Sequence, residues 1–279
     1  MTDTALVLGG GGLTGIGWEI GILHGLAREG VDLTGADLIV GTSAGSVVGT
    51  QIASGVLGTE EMYERQLPPP QDETVASMGA GLTARYLWQV LRARDADGFG
   101  RRMGRLALSA RVGEESVRRE VIAGRLLTHE WPERRLVVTA VDAATGRLRT
   151  FDRDSGVDLV SAVGASCAVP GVWPPVTIGA ERYIDGGVRS PVNADLAAGC
   201  SRVVVIAPLT RSGGPVPSLR EQVGRLVAAG AQVAVVTPDD AARKAFGRNV
   251  LDPRRRAGAA RAGLAQAAAR ADAVRKVWG

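Results

Sequence analysis

Lysine, histidine, cysteine and aromatic residues are all scarce in this chain of 279 residues, and each scarcity removes a class of function. Cys167 and Cys200 are the only cysteines, too few for a disulfide framework or a four-ligand zinc site, so a reducing cytosol is expected. Aromatic residues make up 4% of the chain and none of the usual DNA- or RNA-binding modules can be read in it, so no nucleic-acid partner is expected. No run of about 18 apolar residues is free of polar breaks, which argues against a transmembrane helix. Met1-Thr2-Asp3-Thr4 lacks a positive region, and glycines interrupt the apolar run that follows, so that run reads as a first strand rather than a signal peptide.

Arginine supplies almost all the positive charge, because Lys244 and Lys276 are the only lysines. Residues 1–84 carry ten acidic and two basic side chains, whereas the chain as a whole is +4. Two segments reverse the sign: residues 85–119 hold nine arginines against four acids, and residues 243–276 hold ten basic residues against two acids. Two readings stand for these blocks, solvated helix faces or a surface that touches the head groups of an anionic membrane peripherally.

The apolar pattern alternates between strand and helix. Ala5-Leu6-Val7-Leu8 reads as a buried strand that runs into Gly9-Gly10-Gly11-Gly12. Ile16, Ile20, Leu23 and Leu26 then recur at helical spacing until Gly30. Leu38-Ile39-Val40 is a second strand and Ala44 to Ser54 a second helix. Residues 59–130 read as a helical cap insertion, broken at Pro68-Pro69-Pro70 and with a loop over residues 71–81. Residues 136–151 predict a hairpin, Val203 to Ile206 and Val233 to Val236 two further buried strands, and residues 239–279 a helical tail. Strands separated by helices predict one α/β domain over residues 1–279, a three-layer α/β/α sandwich around a mainly parallel sheet.

One stretch carries chemistry. Gly41-Thr42-Ser43-Ala44-Gly45 matches G-x-S-x-G between a strand and a helix, a sharp turn that projects the serine hydroxyl from the sheet edge, with Gly41 and Gly45 permitting the bend. A histidine triad is not available: His24 precedes Ser43, and nothing after His129 is a histidine. Both histidines read as packing or surface residues. A serine nucleophile then needs another proton acceptor and an oxyanion site. Asp185-Gly186-Gly187 offers a carboxylate at a turn, and Gly10, Gly11 and Gly12 offer backbone N–H groups at the same edge of a parallel sheet. The glycine run also fits G-x-G-x-x-G. Against a nucleotide site, the second strand ends in Gly41 rather than in a ribose-binding acid, and the loop has no lysine.

The glycine loop Gly9 to Gly15, the elbow Gly41 to Gly45, the Ala165 to Gly171 segment and Asp185-Gly186-Gly187, in that order, resemble the signature blocks of the patatin-like phospholipases. The resemblance spans residues 5 to about 190. It implies a lipid acyl-ester hydrolase that needs neither metal nor cofactor, with Ser43 as nucleophile, Asp185 as base, and Gly10, Gly11 and Gly12 as oxyanion hole. A lipid acyltransferase using the same serine and a non-catalytic lipid-binding protein of the same fold are the alternatives. Members of that family commonly carry Arg or Lys where this chain has Thr14, so any head-group contact from that position is in doubt.

Overall fold

A computed structural model describes residues 3–70, 75–210 and 215–279; the loop read over residues 71–81 lies in part outside them. The chain opens with β1 (Thr4–Leu8), α1 (Gly12–Arg28), β2 (Leu38–Thr42) and α2 (Ala44–Ser54). Four helices follow without an intervening strand: α3 (Thr59–Glu64), α4 (Ala80–Arg92), α5 (Ala96–Ser109) and α6 (Glu115–Ala123). Then come β3 (Arg135–Asp142), β4 (Leu148–Phe151), α7 (Leu159–Ser166), β5 (Val176–Ile178) and β6 (Glu181–Asp185). The remainder is β7 (Arg202–Ile206), α8 (Leu219–Ala228), β8 (Gln232–Val236), α9 (Asp240–Phe246) and α10 (Arg256–Trp278).

The strands form one sheet in the order β5-β6-β3-β2-β1-β7-β8, with β4 paired to β3. Pairing is parallel from β3 through β2, β1 and β7 to β8, and antiparallel where β4 and β6 meet β3 and where β5 meets β6. β1 lies mid-sheet, and its side chains alternate between two cores as a doubly covered strand requires. Leu6 and Leu8 join the core beneath α1, α2 and α10, whereas Ala5 and Val7 join the one that includes Leu226 of α8. Helices on both faces of a mostly parallel sheet make this a three-layer α/β/α fold.

Close helix packing explains several glycines of α1. A Cβ at Gly21 would stand 2.2 Å from the carbonyl oxygen of Ala260, and one at Gly25 2.3 Å from the Cβ of Ala267, so α1 and the Ala-rich α10 meet backbone to backbone. Helix α1 begins at Gly12, earlier than its apolar stripe, and Gly30 after it takes the left-handed φ of 78° expected of a terminating glycine. Among the described residues no helix is long and apolar enough to cross a membrane.

Candidate active site

Two strand ends meet through β3. Thr139 of β3 is in register with Thr42 of β2, and the next residue, Ala140, with Asp185 of β6. One residue step on β3 therefore brings the ends of β2 and β6 together, although their side chains come from distant parts of the chain. The Ser43 hydroxyl, one residue past β2, donates to Oδ2 of Asp185 at 2.8 Å.

Ser43 holds φ 53° and ψ −114°, a left-handed backbone that a non-glycine residue adopts only when its surroundings impose it. The constraints are visible. Its N–H donates to the Ser166 hydroxyl at 2.9 Å, and its carbonyl accepts from the N–H of Ser46 at 2.9 Å, the Ser46 hydroxyl at 2.7 Å and the Cys167 thiol at 3.3 Å. Two positions away on either side there is no room for a Cβ: at Gly41 one would lie 2.6 Å from the Cα of Ser46, and at Gly45 2.1 Å from the Leu8 carbonyl oxygen.

Asp185 is 5% exposed. Its Oδ1 accepts the N–H of Gly187 at 2.7 Å. Burial pushes its carboxyl up to about 6, against the downward pull of the Gly187 N–H, the Ser43 hydroxyl and the charge of Arg118. A Cβ at Gly186 would stand 2.3 Å from the hydroxyl of Thr139, which explains the glycine after the aspartate. Behind the pair, the Asn193 side-chain amide donates to the Thr42 hydroxyl at 3.0 Å and to the Ser190 carbonyl at 2.9 Å, locking this corner of the sheet.

The glycine loop lies against the serine, with the N-terminus of α1 following it. Gly10 is not free to donate elsewhere, since its N–H is bonded to the Pro191 carbonyl at 2.6 Å. Among the described residues the N–H groups of Gly11 and Gly12 have no protein acceptor, and both glycines line the cavity that holds Ser43 and Asp185. Of the three glycines expected to face an oxyanion, two keep their donors. The hydroxyl of Thr14 turns back toward the carbonyls of Gly11 and Val250, at 3.3 and 3.4 Å, and brings no charge. Nearby, Glu19 of α1 is fully buried with no hydrogen-bond partner on either carboxyl oxygen, and burial pushes its carboxyl well above the ordinary range.

The cavity measures about 350 Å³. Its walls are mainly apolar, with Tyr86 and Val90 of α4, Phe99 and Met103 of α5, and Val188 and Leu209. Neither histidine lines it. His24 stacks on Tyr63 with ring centres 5.2 Å apart, and His129 lies exposed with Nε2 3.0 Å from the Ala123 carbonyl oxygen. Among the described residues no group of three or more His, Cys, Asp and Glu side chains is placed to hold a metal ion.

Sequence reasoning missed Ser166, Asn193 and Arg118. Ser166 falls inside the Ala165 to Gly171 segment, so the motif marks its neighbourhood but not its hydrogen bond to the Ser43 N–H. Arg118 reads as part of the solvated face of an amphipathic helix, yet it is 8% exposed, with its guanidinium carbon 3.8 Å from the centre of the Trp173 ring.

A profile of the patatin-like phospholipase family matches residues 6–198. Uncharacterised NTE family proteins of Mycobacterium bovis and Mycobacterium tuberculosis are each 29% identical to the chain over 204 residues, covering 73% of it and 48% of their own length. The chain thus spans about half the length of the curated relatives it matches. Two solved structures align with nearly all of it. VipD from Legionella pneumophila covers 98% of this chain and 67% of its own at 14% identity and a TM-score of 0.48. The type III effector ExoU covers 97% and 54% at 17% identity and a TM-score of 0.39.

Proposed function

The chain belongs to the patatin-like phospholipase family, and on that premise we propose that it is a serine hydrolase of lipid acyl esters, working through Ser43 and Asp185. The observation that carries this reading is the 2.8 Å hydrogen bond from the Ser43 hydroxyl to a buried carboxylate that opens on an apolar cavity. As Ser43 Oγ adds to the ester carbonyl carbon, Asp185 takes the hydroxyl proton. The N–H groups of Gly11 and Gly12 and the N-terminus of α1 stabilise the oxyanion. The carbon–oxygen bond to the alcohol then breaks, Asp185 returns the proton to the leaving oxygen, and the acyl group stays on Ser43. Water attacks next, giving its proton to Asp185. The acid leaves, and the proton passes back to Ser43 Oγ.

A fluorophosphonate probe is expected to label Ser43, and the pH profile carries a second signature. Asp185 acts as a base only when ionised, and its carboxyl is held up to about 6. Below that pH, kcat/KM is expected to fall about tenfold per unit, and above it to level off. A profile that stays flat down to pH 4.5, or labelling elsewhere, would count against the dyad.

Helix α4 supports peripheral contact with an anionic membrane. Tyr86 and Val90 face the cavity, while Leu87, Trp88 and Leu91 are 59%, 55% and 72% exposed, and Arg92 lies over the Trp88 ring at 4.8 Å. One helix thus walls the cavity and presents an apolar ridge flanked by arginine, as an interfacial helix does. Replacing Leu87, Trp88 and Leu91 together by serine is expected to lower co-sedimentation with anionic vesicles at least tenfold, since each side chain buried from water contributes about 1.5–3 kcal/mol when burial is complete. Equal sedimentation of the wild type and the triple variant would remove this role from α4.

A further inference from the structure

Ser43 is shared by two cavities. The second is small, about 40 Å³, room for roughly three water-sized groups, and is walled by Ser43, Cys167, Trp173, Arg118 and Arg125 among others. Its character is opposite to that of the apolar cavity. Arg118 enters it from α6 almost fully buried, with its guanidinium over the Trp173 ring. Among the described residues Arg118 has no ion pair or side-chain hydrogen bond to protein, and the contact its guanidinium makes is with the Trp173 ring. Burial lowers its pKa to about 10, and the charge of Arg125 pushes the same way, while Asp185 opposes. Behind Leu13, Ile16, Val47 and Arg125 a further cavity of about 340 Å³ carries Arg65 and Arg256.

We propose that this second cavity is an anion subsite, in which Arg118, with Arg125 beside it, holds the phosphate of a phosphate-bearing acyl ester while the acyl chain lies in the large cavity. A guanidinium stacked on an indole keeps its in-plane donors for a planar or tetrahedral oxyanion, the geometry in which Arg surpasses Lys. Ser43 sits where the two cavities meet, so an ester carbonyl between a polar head and an apolar tail is presented to the nucleophile. The assignment of substrate rests on the hydrolase reading above; the anion site itself does not.

Binding to Ser43→Ala protein by titration calorimetry separates the two. Three probes are used below micelle-forming concentration: a 1-acylglycerol 3-phosphate, the matching 1-acylglycerol, and inorganic phosphate. The phosphate-headed lipid is expected to bind at least tenfold more tightly than its neutral counterpart, and Arg118→Gln in the same background to bring that preference within about twofold. Arg118→Lys, with folding of both variants checked by thermal melting, is expected to keep part of it. Equal binding of the two lipids to protein with Arg118 intact, or an undiminished preference in a folded Arg118→Gln, overturns the subsite. Inorganic phosphate binding as tightly as the phosphate-headed lipid would make the cavity a free-phosphate site and overturn the substrate assignment. If the preference holds but wild-type protein hydrolyses neither lipid, the hydrolase reading falls and the subsite stands.

Discussion

Asp185→Asn is expected to lower kcat/KM on an acyl ester by about 10⁴-fold or more, with no loss of thermal stability. Nucleophile and base act as one unit, so Ser43→Ala should cost a similar factor, and the double variant little more than either. The stability half follows from burial. The Asp185 carboxyl rises from 3.8 to about 6 because the folded site disfavours its charge. Folding therefore carries a cost of about 3 kcal/mol that is absent below pH 3.8 and complete above pH 6. Asparagine removes that charge. Its melting temperature at pH 7.5 should equal or exceed that of the wild type, while at pH 4 the advantage disappears. Asp185→Asn protein that keeps activity within tenfold of the wild type would mean that another group takes the proton.

Gly45→Ala should be the most damaging single methyl addition at the elbow. The new Cβ would lie 2.1 Å from the carbonyl oxygen and 2.3 Å from the carbonyl carbon of Leu8, both backbone atoms at the end of a central strand. Neither can swing aside as a side-chain tip does. The N-terminus of α2 must move by about 1 Å, which breaks the 3.0 Å bond from the Gly45 N–H to the Gly9 carbonyl and shifts Ser43 from Asp185. Overpacking costs typically about 1–3 kcal/mol, and a nucleophile misplaced by about 1 Å loses about 10²-fold in rate; both are expected here at the upper end. Gly164→Ala on α7 is the comparison, since its Cβ would meet only the Val176 methyl at 3.6 Å. It should gain up to about 1 kcal/mol from helix propensity and keep its activity. Comparable melting temperatures for the two variants would mean that the elbow yields more easily than its contacts imply.

The local geometry around Ser43 was legible because it is written locally: an apolar strand, glycines at fixed offsets and a helix within a dozen residues. The alternation of strands and helices likewise announced the layered α/β fold. What the sequence hid is which strands become neighbours. Periodicity marks β7 as buried but does not say that it inserts beside β1, nor that β6 runs antiparallel against β3 to deliver Asp185. The Gly10 N–H looked free because its acceptor, the Pro191 carbonyl, lies far along the chain. The burial of Arg118 is hidden for a related reason: a helix face bearing arginine looks solvated until the tryptophan that covers it is placed.

The position of β1 also bears on how the molecule assembles. Its two neighbours come from residues 38–42 and 202–206, and the helix that closes over α1 from residues 256–278. A nascent chain has the whole elbow early, yet it lacks the carboxylate until residue 185, a neighbour on one side of its central strand until residue 202, and a cover for α1 until α10 emerges. Contacts of such high sequence separation form late and slowly. On the proposed dyad, Ser43 has its full setting only once residues beyond 185 have joined the sheet, so a chain truncated before β6 is expected to carry the elbow without reactivity at Ser43.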